Sequence, residues 1–125
     1  MRWTLAILIM AASIEGCAPM CENEVSATVL SPSGKRKAVV FDRGCGATVG
    51  FNTQVSVLSA EAVLPDDGGN VLIVDDDVPL VLHWESDGSL QIAGALTSRI
   101  FKQEHVVAGV RITYGGANDT HERDL

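Results

Sequence analysis

Basic residues are scarce in this chain. Nine Lys and Arg stand against sixteen Asp and Glu, for a formal net charge of -7 over 125 residues. That balance removes the long-range attraction to phosphates on which nucleic-acid binding depends, so no nucleic-acid partner is expected. No uncharged apolar run is long enough to span a bilayer as a helix, which takes about 20 residues. No segment beyond residue 16 carries a convincing 3.6-residue apolar stripe, which argues against a helical fold. The metalloprotease H-E-x-x-H, the hydrolase G-x-S-x-G and the phosphate-binding G-x-x-x-x-G-K-[ST] patterns are all missing, so no motif names a catalytic residue or a cofactor. Only three cysteines occur, Cys17, Cys21 and Cys45. His83, His105 and His121 are scattered, so no set has the close paired spacing of a zinc site and no metal ligand is assigned.

What is present first is an N-terminal address. Trp3 to Ala12 form an uncharged apolar stretch behind Arg2 and the amino terminus, and Ser13 to Gly16 are mostly small or polar. This is the layout of a secretory signal peptide, with residues 1–16 forming a signal helix that is removed. The run is apolar all round, whereas a buried core helix of a globular domain is expected to be amphipathic. Ile14-Glu15-Gly16-Cys17 resembles the lipobox of bacterial lipoproteins. The aliphatic Ile14 and the small Gly16 fit that pattern, while Glu15 departs from it. The resemblance implies cleavage before Cys17, lipid on its sulfur, and attachment to a bilayer through acylated Cys17. Ordinary signal-peptidase cleavage near Ala11-Ala12-Ser13 is the alternative. Ala18, where the enterobacterial sorting pattern places Asp for inner-membrane retention, implies the outer membrane by the same resemblance.

Lipidation of Cys17 would leave Cys21 and Cys45 as an even pair. An oxidising compartment favours a disulfide between them, and the alternative is two reduced thiols. Residues 17–24 then read as an anchor and linker, 25–114 as the folded domain and 115–125 as a flexible tail.

The domain reads as strands. Val25, Ala27 and Val29 alternate with Ser26 and Thr28, the period of a half-buried strand. Ser31-Pro32-Ser33-Gly34 is a turn, and Lys37 to Phe41 forms the return strand of a hairpin. Thr53 to Val57 alternates again, and Val71 to Val74 is a short apolar run suited to a buried strand. Leu80, Leu82 and Trp84 face one way, with Val81, His83 and Glu85 opposite. Asp87-Gly88 turns the chain into a strand through Leu90 and Ile92. Arg99 to Lys102 is a short strand, and Val106, Ala108, Val110, Ile112 and Tyr114 hold a single face over one long final strand. Ser59 to Leu64 has room for one helical turn. The expectation is an all-β fold: a single antiparallel meander, sandwich or small barrel of about seven or eight strands after the N-terminal signal helix. Ser31-Pro32-Ser33-Gly34-Lys35 resembles the blade turn of TolB-type β-propellers. Four blades of about 40 residues exceed this chain, so the likeness supports only a blade-like antiparallel sheet.

Three further stretches invite a chemical reading. Gly44 to Gly50 is glycine-rich, but Val49 stands where a dinucleotide fingerprint needs its third glycine. Cys45 there would be a nucleophile only if reduced and served by a base such as His83 or His105; the plainer reading is a bridged loop with glycines at positive φ. Asp66-Asp67 and Asp75-Asp76-Asp77 flank the Val71–Val74 run and could offer oxygens to Ca²⁺, but the extended strand between them implies a separation of roughly 15 Å. Leu80 also occupies the glycine position of an EF-hand loop counted from Asp75. Lys35, Arg36 and Lys37 form a basic turn.

Taken together, Cys21 to Val25, Ser31 to Phe41, Arg43 to Thr48, Thr53 to Ser56 and the Trp84 strand with its return at Leu90 to Ile92 resemble a family of small uncharacterised bacterial exported proteins, many of them lipoproteins. The resemblance implies a domain of the cell envelope and supplies no substrate and no catalytic residue. The leading expectation is a non-catalytic, membrane-anchored binding or structural module, with an envelope protein or glycan as partner. The alternatives are a small cysteine-dependent enzyme using Cys45 with a histidine, and a Ca-dependent adhesion module.

Overall fold

The computed structural model describes residues 21–46 and 50–115. The expected signal helix (1–16), Cys17 and the tail beyond Gly115 lie outside the described residues. The fold is all-β, as expected. Among the described residues nine strands run in chain order: β1 (Glu22–Leu30), β2 (Arg36–Gly44), β3 (Asn52–Ser59), β4 (Leu72–Asp75), β5 (Val81–Ser86), β6 (Ser89–Ala93), β7 (Ile100–Gln103), β8 (Val106–Val107) and β9 (Val110–Gly115). They make a five-stranded sheet, β1-β2-β3-β4-β7, and a four-stranded sheet, β5-β6-β9-β8. The two sheets bury one apolar cluster between them. Val40, Val55, Val57, Leu72 and Val74 come from the first sheet, and Leu82, Trp84, Leu90, Ile92, Val110 and Ile112 from the second. A sandwich is therefore the member of the expected set that the chain adopts.

Local chemistry explains the hairpins. In the β1–β2 turn Gly34 has φ 75°, and its N–H donates to the Ser31 carbonyl at 2.8 Å. The buried Ser31 Oγ accepts from the Arg36 N–H at 3.2 Å, so the turn's polar groups are satisfied locally. At the same end of the sandwich the Ser33 N–H donates to Asp87 Oδ1 at 3.0 Å, joining the β1–β2 and β5–β6 hairpin tips.

The structure departs from the sequence expectation at five places. The first strand begins at Glu22, inside the segment read as linker. Its alternation is broken by a bulge between Val25 and Ala27: Val25 lies opposite Phe41 while Ala27 lies opposite Val40. The extra residue, Ser26, puts Val25 and Ala27 on different faces, and the strand is largely exposed rather than half-buried. The long final strand is a hairpin, because Ala108 (φ 51°) and Gly109 (φ 78°) form a two-residue turn between Val107 and Val110. Positive φ at both positions is the type I′ signature. β6 and β9 pair in parallel, so the second sheet is mixed; the chain visits the first sheet as β7 between them. Finally, Ser59 to Leu64 holds a turn closed by Ala62 N–H to the Ser59 carbonyl at 3.0 Å and no helix.

The connection between β3 and β4 covers the outer face of the first sheet. Asn70 pairs with Val57 as a strand would: Oδ1 accepts the Val57 N–H at 2.8 Å and Nδ2 donates to its carbonyl at 2.9 Å. Gly69 N–H donates to Gln54 Oε1 at 2.6 Å, and Gln54 Nε2 donates to Asn52 Oδ1 at 2.6 Å. A side chain on Gly69 would meet the Val55 carbonyl at 2.7 Å, so only glycine lets this segment lie so close. Under the connection Gln54, Ser56 and Phe41 are buried, and no buried side-chain polar atom among the described residues lacks a partner.

Candidate functional site

Cys21, Cys45 and the acidic residues Asp66 and Asp75 to Asp77 stand at one end of the sandwich, whereas His83, His105 and the Lys35–Lys37 turn do not. Strand direction places β1's start, β2's end, β3's start, β4's end and β7's start together. The second sheet contributes the start of β5 and the ends of β6 and β9. Val78 ties the two halves, its N–H donating to Thr53 Oγ1 at 2.8 Å, while Thr53 Oγ1 donates to the Asp76 carbonyl at 2.8 Å.

Cys21 and Cys45 are disulfide-bonded across 24 residues. The pairing of Glu22 with Gly44 makes these cysteines the next position of the β1–β2 register. The hairpin is therefore closed by a turn at one end and by a covalent bond at the other. In the chain-entropy picture a bridge of this span stabilises by about 3–4 kcal/mol. Gly46, next in sequence, has φ 106°, a conformation glycine adopts without strain. Gly44 lies beneath the Phe51 ring, which would stand 2.6 Å from a Cβ there. Glu22, Gly44, Gly46 and Phe51 line a hollow of about 290 Å³.

Arg43 organises the same end on the outer face. Its Nη1 donates to Asn23 Oδ1 at 2.7 Å and to Asp66 Oδ1 at 3.0 Å, while Asn23 Nδ2 donates to the Pro65 carbonyl at 3.0 Å. The first strand, the second strand and the β3–β4 connection are thereby tied at one point. Asp66 is exposed, so the ion pair contributes little beyond positioning.

The candidate nucleophile and its bases are not assembled. Cys45 Sγ is in the bridge. His83 is exposed at the middle of β5, paired with Gln91. His105 stacks edge-on against Tyr114, the ring centroids 5.5 Å apart. His121 lies outside the described residues.

The acidic clusters are split by the sheet rather than separated along a strand. Because the β3–β4 connection folds back over the outer face, Asp66 meets Arg43 there. The Asp76 carbonyl meets Thr53 on the core side. Asp75 Oδ1 accepts the Asp76 N–H and Asp76 Oδ2 accepts the Ser98 hydroxyl, so these carboxylates serve turns. Among the described residues no three His, Cys, Asp or Glu side chains stand together to hold a metal. Partial burial, then the neighbouring charges of Asp77 and Glu24, hold Asp42 above its usual range.

A second hollow at this end was not foreseen. Val78, Pro79, Val81, Ala93, Gly94 and Ala95 line a groove of about 350 Å³ with almost wholly apolar walls. Gly94 is required there, since a Cβ would stand 2.7 Å from the Pro79 carbonyl. Small residues at the sheet margin were the available signal, but nothing in the linear sequence placed them beside Val78 and Val81. Among the described residues no helix is long and apolar enough to cross a membrane.

Comparison with protein-family models, with curated proteins and with solved structures finds no match for this chain.

Proposed function

We propose that this chain is an exported protein of the bacterial cell envelope, anchored in a bilayer through lipid on Cys17, whose β-sandwich is a non-catalytic binding or structural module for an envelope protein or glycan. The observation that carries the reading is the Cys21–Cys45 bridge. Disulfides persist in oxidising compartments, and this pairing leaves Cys17, the cysteine of the lipobox-like Ile14-Glu15-Gly16-Cys17, as the odd one out. A bridged Cys45 also favours the module over a cysteine-dependent enzyme. Ala18 and the resemblance to small exported lipoproteins support an outer-membrane, periplasm-facing address.

The test is the intact mass of the protein purified from bacterial membranes, with and without reductant. The expected result is a chain beginning at Cys17 and carrying diacylglycerol and acyl mass, with two alkylation labels gained only after reduction. Retention of Met1 and an alkylatable Cys45 without reductant would overturn the reading.

A further inference from the structure

The end of the sandwich that bears the disulfide also carries much of the chain's exposed apolar surface. Phe51 (56% exposed), Val81 (70%), Phe101 (52%) and Ile100 (38%) all stand there. Phe51 immediately precedes β3, Val81 opens β5, and Ile100 and Phe101 open β7. Val81 also belongs to the apolar groove with Val78, Pro79 and Ala93 to Ala95. Two of the chain's three phenylalanines are thus at one end and open to solvent, where a freely tumbling domain gains nothing from them. Arg99 stacks on Phe101, its guanidinium carbon 5.2 Å from the ring centroid, as an amphipathic pair suited to the boundary between water and hydrocarbon.

We infer that this end is a membrane-contact surface and that its occupant is the phospholipid bilayer itself. The inference rests on the Cys17 anchor proposed above. Chain reach decides between the bilayer and a soluble partner. Cys21 is four residues after Cys17, and four residues span at most about 14 Å fully extended. The bridge clamps Cys21 to the end of β2, so the linker cannot be lengthened by peeling β1 away. A lipid held at Cys17 thus keeps Phe51, Val81, Ile100 and Phe101 within reach of the headgroup layer. Glu22, Asp66, Asp75, Asp76 and Asp77 share this end with Arg99 and with Arg43, whose charge is paired with Asp66, so attraction to anionic lipid is not the driving term. Burial of apolar side chains among neutral headgroups and upper acyl chains is.

Tryptophan fluorescence in bromolipid vesicles tests this. Lipidated Phe51→Trp and Phe101→Trp variants, with Leu30→Trp as a control near the opposite hairpin tip, are reconstituted into phosphatidylcholine vesicles with and without brominated chains. The buried Trp84 is a constant internal reference. The expected result is a blue-shifted emission that bromolipid quenches at positions 51 and 101, unchanged in high salt, with no quenching at position 30. Quenching at neither 51 nor 101 in a protein whose mass shows lipid on Cys17 overturns the contact surface and leaves the anchor standing. Quenching at 30 instead places the wrong end on the membrane and also overturns it. A chain without lipid mass removes the anchor and the contact surface together.

Discussion

Trp84 Nε1 donates a hydrogen bond of 2.9 Å to the backbone carbonyl of Val29, joining the second sheet to the first strand of the other. The indole fills the core beside Leu82 and Leu90, and its polar edge finds the one kind of partner a buried N–H requires. Trp84→Phe keeps most of the apolar area and leaves the Val29 carbonyl without this donor. It is expected to lower unfolding stability by about 1–3 kcal/mol, and Trp84→Ala by about 3–5 kcal/mol. Urea denaturation followed by circular dichroism measures both. Equal stability of wild type and Trp84→Phe would show that the bond contributes nothing.

Tyr114 is the single tyrosine of the chain, so its phenol can be titrated without assignment. Burial, and secondarily the charge of Glu104, push its pKa up to about 12, while its hydroxyl donates to the Glu104 carbonyl at 2.6 Å. Ultraviolet titration should show tyrosinate forming near 12 rather than at the ordinary value of 10. Since the folded phenol keeps its proton longer than the unfolded one, stability should fall as pH rises between those values. A midpoint at 10 in folded protein would contradict the described packing.

Asp42 lies opposite Glu24 on β1 and is raised by burial first, then by Asp77 and Glu24. A carboxyl whose folded pKa exceeds its unfolded value binds more protons when folded in that window. Stability therefore falls as pH rises through it, the reverse of a salt-bridged aspartate. Asp42→Asn should raise the melting temperature slightly at pH 7 and leave it unchanged well below pH 3.8, the unperturbed value. Melting curves across that range check the sign, and a loss of stability at pH 7 would refute it.

Ala108 holds φ 51° ahead of Gly109 at 78°, a left-handed conformation that costs an alanine roughly 1 kcal/mol. Ala108→Asn places Asn-Gly in a two-residue I′ turn, the pair that turn prefers. The expected gain is about 0.5–1 kcal/mol in urea unfolding. A loss of that size would mean the β8–β9 turn is formed otherwise.

Much of the secondary structure could be read in advance because strand alternation and turn chemistry are local. The Ser31–Gly34 turn, the Asp87-Gly88 hairpin and the facing of Leu82 and Trp84 against Val81 and His83 all stand in the structure as expected. Local reading failed where a single residue changed the count. Ser26 as a bulge sends Val25 and Ala27 to opposite faces, although their spacing in sequence is that of neighbours on one face. Ala108-Gly109 has the glycine but not the preceding Asn or Asp that advertises a I′ turn, so two short strands read as one long one.

The candidate site was only half legible. The Cys21–Cys45 pairing was the expectation once the lipobox resemblance set Cys17 aside, with two reduced thiols as the alternative, and the bridge is present. The apolar groove and the common placement of Phe51, Val81 and Phe101 were not visible, because they depend on which strand ends meet. Asp66 and Asp76 lie on opposite sides of a sheet because the β3–β4 connection doubles back, and no property of the acidic residues encodes that path.

Alternation of β-branched and polar residues, with glycine and proline at turns, was enough to specify an all-β chain. Those are short-range preferences, carried by each residue's own backbone and its near neighbours. The parallel pairing of β6 with β9, the burial of Gln54 and Ser56 under the β3–β4 connection, and the Trp84–Val29 bond across 55 residues were decided only in three dimensions. Each depends on burying one shared apolar core and satisfying every polar group that core encloses, a condition on the whole molecule that no local segment contains.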